Sequence, residues 1–356
     1  MPVLLITGGA GFIGSNLVRR ALRDEALTVV TLDLLTYAGH RDNLGDVMQH
    51  PRHHFVEGDI ADVALVRSML REHRPIALLN LAAESHVDRS IDDATEFLRT
   101  NVLGTHALLD SARRYVDSGD APDAFRYLQV STDEVFGSLG SDGYFTETSR
   151  FAPNSPYAAS KASADHFVRA WGQTYGLPVI TTHCSNNYGP FQFPEKLIPL
   201  MILNALQHRA LPVYGDGLQV RDWIFVEDHC EGLLAAAQRG VAGKTYALGG
   251  NSERTNLSLV QTLCDLLDEM APAAGFSPPV GGFRALINFV KDRPGHDRRY
   301  AIDASHASEA LDWKPRHTLE DGLRETVRWY LDHPGWSQAV SERVYDRTRL
   351  GLGGAK

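Results

Sequence analysis

The feature that most constrains this chain is a regular alternation, through its first half, of short apolar runs with stretches of helical periodicity. Segments such as FIGSNLVRRALRDE and ATEFLRTNVLGTHALLDSARRYV have the helical pattern and lie between most of the apolar runs. The six runs are VLLITG, LTVVTLD, HHFVEGD, IALLNLA, FRYLQVS and LPVITTH. Runs that are apolar throughout are typical of strands buried on both faces. The pattern therefore predicts an α/β fold built on a doubly wound parallel sheet.

A glycine-rich turn, TGGAGFIG, follows the first predicted strand and opens the first predicted helix. Its glycines Gly8, Gly11 and Gly14 are spaced G-x-x-G-x-x-G. A turn this tight needs residues without a Cβ, and a diphosphate has to approach its backbone closely. The free N–H groups and partial positive charge of the helix N-terminus then favour a phosphate. The alternative, a purely structural glycine turn, does not require the strand–turn–helix context found here.

An aspartate at the end of the second predicted strand, Asp33, indicates which nucleotide the turn binds. It follows Gly14 by 19 residues. A carboxylate at this position can bind the ribose hydroxyls of the adenosine and would repel a 2′-phosphate. The chain is therefore predicted to bind NAD rather than NADP through a Rossmann-type sheet. Asp59, after the third strand, is placed to face the adenine, although a helix cap is almost as good an interpretation.

The alternating pattern loosens after about residue 185, where loops become richer in proline and glycine. At 356 residues the chain can form two domains or one large α/β unit. We predict an NAD-binding Rossmann domain over 1–185 with returning segments around 220–250. A smaller, interleaved C-terminal substrate lobe is predicted over 186–335, followed by a C-terminal tail over 336–356.

Composition argues against several functional classes. The net charge of −9 and the absence of a Lys/Arg block disfavour nucleic acid and anionic membranes as partners. No apolar stretch approaches the ~20 residues of a membrane span. Three widely spaced cysteines without a CxxC motif are typical of a reducing cytoplasm, and the N-terminus lacks the features of a signal peptide. No metal-ligand spacing is present; His53 and His54 are predicted to lie in a solvated loop.

A tyrosine and a lysine four residues apart, Tyr157 and Lys161, lie in a predicted helix. Residues i and i+4 share a helix face, so the ammonium can sit near the phenol. Lowering the phenol pKa from about 10 to about 7 takes roughly 4 kcal/mol of preferential phenolate stabilisation. The lysine and a positive nicotinamide ring can supply this. Thr132, 25 residues upstream, is the expected hydroxyl partner of the pair.

These residues resemble the extended short-chain dehydrogenase/reductase family, whose members act on nucleotide-activated sugars. The similarity covers roughly residues 1–330 and is carried by TGGAGFIG, Asp33, NVLGT (101–105), Thr132 and the YxxxK pair. It implies these NAD-binding positions: Gly8, Gly11, Phe12, Ile13, Gly14, Asp33, Thr36, Asp59, Ile60, Leu81, Ala82, Ala83, Ser85, Thr100, Tyr157, Lys161 and Asn187.

Two adjacent carboxylates, Asp133 and Glu134, end the fifth predicted strand in STDEVFG (131–137). A helix cap or a solvated strand end would explain them without catalysis. A plain oxidoreductase or 4-epimerase of this family needs only the hydroxyl, the tyrosine and the lysine. Two carboxylates beside them suit additional proton transfers, because mutual repulsion favours one protonated and one ionised member.

Within the family, the chain is similar to the subgroup that removes water from dTDP-glucose. Seven stretches carry this likeness: DLLTYAG (33–39), LAAESHVDRSI (81–91), STDEVFG (131–137), SPYAASK (155–161), CSNNYGPFQFPEKLIP (184–199), PVYGDGLQVRDWIFVEDH (212–229) and DRPGHDRRYAID (292–303). The resemblance implies an NAD-dependent lyase, in which Tyr157 is the base for the 4-hydroxyl, Glu134 the base for C5 and Asp133 the acid for the departing water. It further implies that Lys161 tunes the tyrosine and that Thr132 positions the sugar.

A net acidic protein must bind the two negative charges of a nucleoside diphosphate sugar through local cations. Arg221 and Arg293, in glycine- and proline-rich loops, are the best candidates, and Lys196 is a weaker one. Tyr214 is placed to stack on the pyrimidine. The resemblance implies further substrate contacts at Ser85, Thr132, Asn186, Pro212, Asn256 and His296.

Three alternatives stay open at this point: a UDP-sugar 4-epimerase, a UDP-sugar 4,6-dehydratase, and a non-catalytic protein that senses NAD. The acid pair argues against the epimerase, and binding alone would need none of the catalytic residues. Thymidine and uridine differ here by one methyl group, which is worth only about 1–3 kcal/mol in an apolar pocket. The resemblance also implies a homodimer, paired through the helix containing LRTNVLGTHALLDSA and the helix that bears Tyr157.

Overall fold

The structure, a computed structural model, describes residues 1–344 and is built around a seven-stranded sheet whose strands all pair in parallel. The strands are β1 (Val3–Thr7), β2 (Thr28–Asp33), β3 (His53–Glu57), β4 (Ala77–Asn80), β5 (Arg126–Thr132), β6 (Val179–Cys184) and β10 (Thr245–Leu248). Their order across the sheet is β10-β6-β5-β4-β1-β2-β3. The chain changes direction of travel between β1 and β4, and such a switch point opens a crevice for ligands at the carboxyl ends of the strands.

Helices cover both faces of this sheet and also build a second layer. They are α1 (Phe12–Leu22), α2 (Val63–His73), α3 (Val87–Asp92), α4 (Thr95–Phe97), α5 (Thr105–Asp117), α6 (Pro156–Tyr175), α7 (Leu197–Leu206), α8 (Val226–Arg239), α9 (Asn256–Met270), α10 (Ser305–Leu311), α11 (Leu319–Asp332) and α12 (Pro334–Val344). Helices α1, α8 and α10 contribute to the core on one face of the sheet, and α2, α5 and α6 to the core on the other. The six predicted strands and the doubly wound arrangement are confirmed.

A separate apolar core lies beside the sheet and is formed by residues from Tyr188 to Leu331. Helices α7, α9 and α11 supply most of it. Two small sheets accompany it: β7 (Asn186–Tyr188), β9 (Val220–Phe225) and β11 (Glu253–Thr255) form one, and β8 (Leu211–Tyr214) pairs with β12 (Ile287–Val290) in the other. Helix α8 and strand β10, which fall between these segments in sequence, pack instead with the central sheet.

One strand was missed and one expectation from the sequence was wrong in this region of the fold. Strand β10 was not among the six predicted strands, because its four residues carry no pattern longer than a short apolar run. His53 and His54 are not in a loop but begin β3. His53 is 6% exposed, and its ring bonds Thr31 Oγ1 at 3.0 Å and the Val47 carbonyl oxygen at 2.9 Å, so pairing with β2 buries it.

The first part of the predicted tail is an ordered helix. Helix α12 begins at Pro334, and Val340 within it is 1% exposed. The indole Nε1 of Trp336 donates a hydrogen bond to Asn43 Oδ1 at 2.8 Å. Burial of these side chains is what turns this segment into a packed helix. The rest of the predicted tail, including GLGGAK at 351–356, lies outside the described residues.

Within residues 1–344, no helix is both long enough and apolar enough to cross a membrane. The same residues contain no group of three or more His, Cys, Asp or Glu side chains arranged to hold a metal ion. Cys184, Cys230 and Cys264 are buried free thiols.

Candidate active site

The glycine turn is tight because backbone packs on backbone. The Gly8 amide donates to the Leu32 carbonyl oxygen at 2.8 Å, and Gly8 has φ +70°. A Cβ on Gly8 would lie 2.6 Å from the Ala82 nitrogen, and one on Gly14 would lie 2.1 Å from the Gly8 carbonyl oxygen. Helix α1 starts directly after the turn, with Gly11 as N-cap and no acidic residue in its first turn. The N–H groups at this helix end therefore point at the crevice without a competing carboxylate.

Asp33 ends β2 at the edge of the crevice. Its side chain accepts hydrogen bonds from the amides of Ala10 and Leu35, both at 2.8 Å. Burial raises the pKa of Asp33, while these two amides lower it. The carboxylate is thus held in a fixed orientation beside the glycine turn. Asp59 accepts from the Ala61 amide at 2.8 Å, as a cap would, and also lines the crevice.

One cavity of about 300 Å³ runs from the glycine turn to Glu134, while Asp133 is not among its lining residues. All seventeen residues predicted to bind NAD line it: Gly8, Gly11, Phe12, Ile13, Gly14, Asp33, Thr36, Asp59, Ile60, Leu81, Ala82, Ala83, Ser85, Thr100, Tyr157, Lys161 and Asn187. Thr132, Glu134, Asn186 and Lys196 line the same cavity. Sequence positions more than 170 residues apart are therefore brought to one crevice, which has the size typical of a ligand site.

Helix α6 carries Tyr157 and Lys161 because strong signals fix where it begins and ends. Ser155 caps it by accepting from the Ala158 amide, Pro156 occupies its first turn, and Gly176 ends it in the left-handed conformation. Tyr157 therefore lies in the first turn, with its amide donating to Ser90 Oγ at 3.1 Å. This fixed position places Tyr157 among the residues that line the cavity.

The electrostatics around Tyr157 differ from the expectation based on YxxxK alone. Burial raises the pKa of Tyr157 well above its ordinary value, and the negative charge of Glu134 raises it further, while a hydrogen bond with Thr132 lowers it. Lys161 Nζ donates to the Val130 carbonyl oxygen at 2.8 Å, and burial lowers the pKa of this lysine. The surroundings that the chain itself provides therefore favour the neutral phenol. The lowering of the Tyr157 pKa that the sequence predicts would depend on a cationic nicotinamide as well.

The two acids lie in a short 3₁₀ turn, Asp133–Phe136, that Thr132 caps by accepting from the Glu134 amide at 3.3 Å. Asp133 is 1% exposed, and its Oδ2 has no hydrogen-bond partner within residues 1–344. Burial raises the pKa of Asp133 well above its ordinary value, and the charges of Glu134 and Asp222 add to this effect. Its surroundings therefore favour the protonated, neutral form of Asp133. The cap interpretation fails, because the residue that caps this turn is Thr132.

Glu134 has a different environment from its neighbour. Burial raises its pKa, but the positive charges of Arg293, Lys196 and Arg221 oppose this increase. Three cations facing one carboxylate favour its ionised form. Glu134 is thus the member of the pair better suited to act as a base, and Asp133 the member better suited to act as an acid.

The three predicted cations converge on this acid from separate parts of the chain. Lys196 precedes α7, and its Nζ donates to the Ser85 carbonyl oxygen at 2.7 Å. Arg221 lies on β9, is 5% exposed and stacks over the Tyr300 ring at 4.2 Å. Arg293 pairs with Asp88 at 2.5 Å. They form a positive region beside the cavity even though the whole chain is acidic.

The remaining predicted substrate residues lie outside the lining of the cavity described above, except for Asn186. Pro212 and Tyr214 are on β8, and the Tyr214 hydroxyl donates to Asp88 Oδ2 at 3.4 Å. His296 packs edge-on against Tyr214, with ring centroids 6.3 Å apart. The side-chain oxygens of Asn186 and Asn256 are buried and have no hydrogen-bond partner in the described chain. Tyr214 and Arg293 thus both bond Asp88, and His296 bonds Asp292, whereas Asn256 bonds Gln219 through its backbone amide at 2.9 Å.

Sequence reasoning missed several side chains at this crevice. Glu84 and Glu195 line the cavity, and Arg89 pairs with Glu195 at 2.9 Å while lying over the Tyr37 ring at 4.1 Å. Asp88, which bonds both Tyr214 and Arg293, was also missed. All five fall within the quoted stretches DLLTYAG, LAAESHVDRSI and CSNNYGPFQFPEKLIP, but a single charge in a loop carries no signal of its own. Closer attention to opposite charges in those stretches could have found the Arg89–Glu195 pair.

A π-helical segment, Leu98–Gly104, is a second missed feature, inserted between α4 and α5. Within it, Asn101 Oδ1 accepts from the Glu84 amide at 2.9 Å, and its Nδ2 donates to the Glu84 carbonyl oxygen and to Ser160 Oγ. One asparagine thus ties the cavity wall after β4 to α6. Such π-turns are common at functional sites, but no periodicity in the sequence announces them.

The chain's own residues fit a dinucleotide. The glycine turn leaves no room for a Cβ at Gly8 or Gly14, the helix end presents free N–H groups, and a carboxylate stands at the end of β2. The phosphates would lie against the turn, the adenosine ribose against Asp33, and the nicotinamide end toward Tyr157 and Lys161. These are the features that a strand–turn–helix nucleotide site requires.

Comparison with known proteins agrees with this arrangement. A family model described as GDP-mannose 4,6 dehydratase matches residues 5–326. A dTDP-glucose 4,6-dehydratase from Neisseria meningitidis serogroup B is 53% identical over 356 residues, covering 99% of this chain and 100% of that protein. The crystal structure of a dTDP-glucose 4,6-dehydratase from Streptomyces venezuelae with NAD and dTDP bound superposes with a TM-score of 0.86 at 46% identity, covering 95% and 99% of the two chains.

A nucleotide-sugar enzyme of another activity is less similar. The structure of a UDP-glucose 4-epimerase from Thermotoga maritima has a TM-score of 0.80 at 27% identity and covers 93% of this chain and 99% of that one. The overall fold is therefore common to both activities, while the identity is clearly higher to the dehydratases.

Proposed function

The chain belongs to the dTDP-glucose 4,6-dehydratase family, and from that premise we propose that it converts dTDP-glucose to dTDP-4-keto-6-deoxyglucose and water. It is an NAD-dependent hydro-lyase of deoxysugar biosynthesis. The single observation that carries the proposal is that Glu134 and Tyr157 line the crevice of the dinucleotide residues, with the buried Asp133 close enough to interact electrostatically with both. A dehydratase needs all of these groups within reach of one hexose ring.

The roles proposed for the side chains follow from their environments. Bound NAD supplies a reversible hydride acceptor for C4 of the sugar. Tyr157 removes the proton of the 4-hydroxyl as that carbon is oxidised, Thr132 positions the hydroxyl, and Lys161 holds positive charge nearby. The 4-ketone makes the C5 proton acidic, and Glu134, faced by three cations, removes it. Asp133, held neutral by burial, protonates the C6 hydroxyl, which leaves as water. Glu134 would then return the proton to C5, and because bound NAD would give back at C6 the hydride taken from C4, no net oxidant is consumed.

The substrate's nucleotide is proposed to lie against the second layer of the fold. Arg221, Arg293 and Lys196 would neutralise the diphosphate. Tyr214 would stack on the thymine, with Pro212 and His296 beside it, while Asn186 and Asn256 offer buried side-chain oxygens for donors on the substrate. Each of these contacts supports binding of a nucleotide sugar rather than of a free sugar.

The alternative functions are not favoured. A UDP-sugar 4-epimerase uses a hydroxyl, a tyrosine and a lysine, so it leaves the acid pair without a role. A non-catalytic NAD-binding protein would leave both the acid pair and Tyr157 without a role. The UDP-sugar 4,6-dehydratase differs only in the base that it reads, and competition between dTDP and UDP for the purified protein would distinguish the two.

Incubation of the purified protein with dTDP-glucose in deuterated water tests the function directly. We expect loss of one water from the sugar, read by mass spectrometry, and deuterium at C5, read by NMR. Formation of a 4-epimer without solvent deuterium, or an unchanged sugar in a protein that contains NAD, would contradict the proposal.

The glycine turn provides a prediction about the cofactor. Gly8→Ala forces a Cβ to within 2.6 Å of the Ala82 backbone at a positive φ, so we expect loss of most bound NAD. The measurement is the NAD content of the purified variant. Gly140→Ala is the matched control, because a Cβ there meets nothing within 4 Å, and it should retain NAD. Equal NAD content in both variants would mean that the turn does not hold the dinucleotide.

A homodimer is proposed from the outer surface of the helices around α5 and α6. Leu98 and Leu103 are 55% and 61% exposed, and Phe167 and Tyr175 are 37% and 49% exposed. His106, Phe167, Trp171 and Tyr175 form a chain of edge-on ring contacts. An apolar surface of this kind is typical of a helix-bundle interface.

The dimer can be tested by adding a charge to that surface. Leu103→Glu is expected to shift the protein from dimer to monomer in sedimentation velocity. Val241→Glu is the control, because Val241 is 59% exposed at a loop away from α5 and α6 and should leave the dimer intact. A Leu103→Glu variant that sediments like the parent would refute the interface.

We propose a cytoplasmic location, which three buried free thiols support since reducing compartments keep thiols reduced. The division into a dinucleotide domain (1–185, with returning segments around 220–250) and a substrate lobe (186–335) is likewise proposed. It is supported by the separate core formed by residues from Tyr188 to Leu331.

A further inference from the structure

A buried polar group lies beside the cavity, and one of its members, Ser131, is among the residues that line it. Asp165 Oδ2 accepts hydrogen bonds from Ser131 Oγ at 2.6 Å and from His183 Nε2 at 3.0 Å. None of the three residues is more than 4% exposed. Ser131 and His183 are opposite each other in the pairing of β5 with β6, and both reach the same carboxylate on α6. The sequence analysis assigned none of them a role.

The arrangement does not match a nucleophilic triad, although it contains a serine, a histidine and an aspartate. In a triad the histidine lies between the other two and takes the serine proton. Here the aspartate lies between, and Ser131 donates to it directly. His183 Nδ1 and Asp165 Oδ1 have no hydrogen-bond partner in the described part of the chain. The contacts therefore fix the carboxylate and do not activate the serine.

The carboxylate lies one helical turn from a buried cation. Asp165 follows Lys161 by one turn of α6, so the two side chains share a helix face. Lys161 is 4% exposed, and the one hydrogen bond described for it goes to the Val130 carbonyl oxygen. A buried ammonium with a single neutral acceptor loses its proton easily unless an anion is close.

Few groups around Lys161 can supply that anion. Strand β5 presents the Val130 carbonyl and Ser131, strand β6 presents His183 and Cys184, and α6 presents Asp165. Burial raises the pKa of the Cys184 thiol to about 12, so it is uncharged near neutral pH. Asp165 is the larger of the two negative influences that raise the pKa of Lys161, which burial lowers. It is therefore the effective counter-charge for the lysine.

We propose that Asp165 is a positioning residue that keeps Lys161 protonated and in place beside Tyr157, with Ser131 and His183 holding its carboxylate. This inference rests on the proposed function, because Lys161 matters for oxidation at C4. It adds a layer to the active site: the cation that tunes the tyrosine is itself held by an anion on the same helix. Asp165 touches neither substrate nor cofactor and acts only through Lys161.

The test is the pH dependence of dehydration by full-length protein loaded with NAD, measured as water loss from dTDP-glucose between about pH 6 and pH 10. Asp165→Asn keeps the size of the side chain and removes its charge. The pKa of Lys161 then falls, so the lysine loses its proton at lower pH and activity is lost earlier on the alkaline side. We expect the pH at which kcat falls on the alkaline side to decrease by about one unit or more. On that side of the profile, kcat should then be about tenfold lower than that of the parent protein.

Controls separate positioning from stability. Asp165→Glu restores the charge and should keep the parent's alkaline limb even if its rate is lower. Asp228→Asn removes another buried carboxylate, on α8, that accepts from the His317 amide, and it should lower thermal stability without moving the limb. Asp165→Ser, a smaller neutral variant, carries the same expectation as Asp165→Asn if the latter is insoluble.

Two results would overturn the inference while leaving the function intact. One is a parent-like alkaline limb in Asp165→Asn or Asp165→Ser. The other is a uniform loss of rate at every pH, as for a destabilised protein. Failure of the parent protein itself to dehydrate dTDP-glucose would contradict the proposed function, and this inference with it.

Discussion

The rate at which Tyr157→Phe dehydrates dTDP-glucose is expected to be about 10²–10⁴-fold lower than that of the parent, which is the range that general acid–base catalysis supplies. The phenylalanine fills the same volume in the first turn of α6, where the tyrosine is 8% exposed. It lacks only the hydroxyl that bonds Thr132 and that we propose takes the proton from the 4-hydroxyl. Because oxidation at C4 is the first step, neither NADH nor product should form.

The measurement for this variant combines absorbance of bound NADH with mass spectrometry of the sugar. Its NAD content and its affinity for dTDP should match the parent, since the helix cap at Ser155 and the glycine turn are untouched. Product formation at more than about a tenth of the parent rate would remove Tyr157 from the role of base.

Glu134→Gln is expected to give the second large effect, at a later step. The glutamine cannot accept the C5 proton, so elimination should slow by about 10²–10⁴-fold. Tyr157 and Thr132 are unchanged, so oxidation at C4 should still occur and reduced cofactor should accumulate. The readouts are the NADH absorbance after mixing with dTDP-glucose and the rate of deuterium entry at C5.

The environments of the two acids make this prediction directional. Glu134 faces the positive charges of Arg293, Lys196 and Arg221. The pKa of Asp133, in contrast, is raised well above its ordinary value by burial and by neighbouring carboxylates. Asp133→Asn should therefore slow departure of the water while leaving exchange of the C5 proton faster than in Glu134→Gln. If Glu134→Gln and Tyr157→Phe lose oxidation at C4 equally, with NAD and substrate still bound, the division of labour is wrong.

Much of this site was predictable from sequence because its signals are local. The glycine turn needs only the strand before it and the helix after it, and Ser155, Pro156 and Gly176 set the ends of α6 within one segment. The pair of acids after β5 is adjacent in sequence, so its position at the end of a buried strand follows from the strand alone.

The missed features depend on contacts between distant segments. Asp165 is bonded by Ser131 and His183, 34 and 18 residues away, and nothing local marks any of the three. Arg293 meets Asp88 across 205 residues. The raised pKa of Tyr157 could not be predicted from the YxxxK motif either. Its main cause is burial, which depends on the packing of the whole fold.

The hydrogen bond from Trp336 to Asn43 has a consequence for the order in which the site is completed during synthesis. Asn43 Nδ2 also donates to the Ala10 carbonyl oxygen at 2.8 Å, and the Ala10 amide bonds Asp33. Chains emerge from the ribosome N-terminus first, at about 5–20 residues per second. The glycine turn therefore emerges among the earliest segments, but the bond that holds its supporting asparagine cannot form until residue 336 has emerged. The nucleotide motif thus emerges long before this hydrogen bond behind it can form.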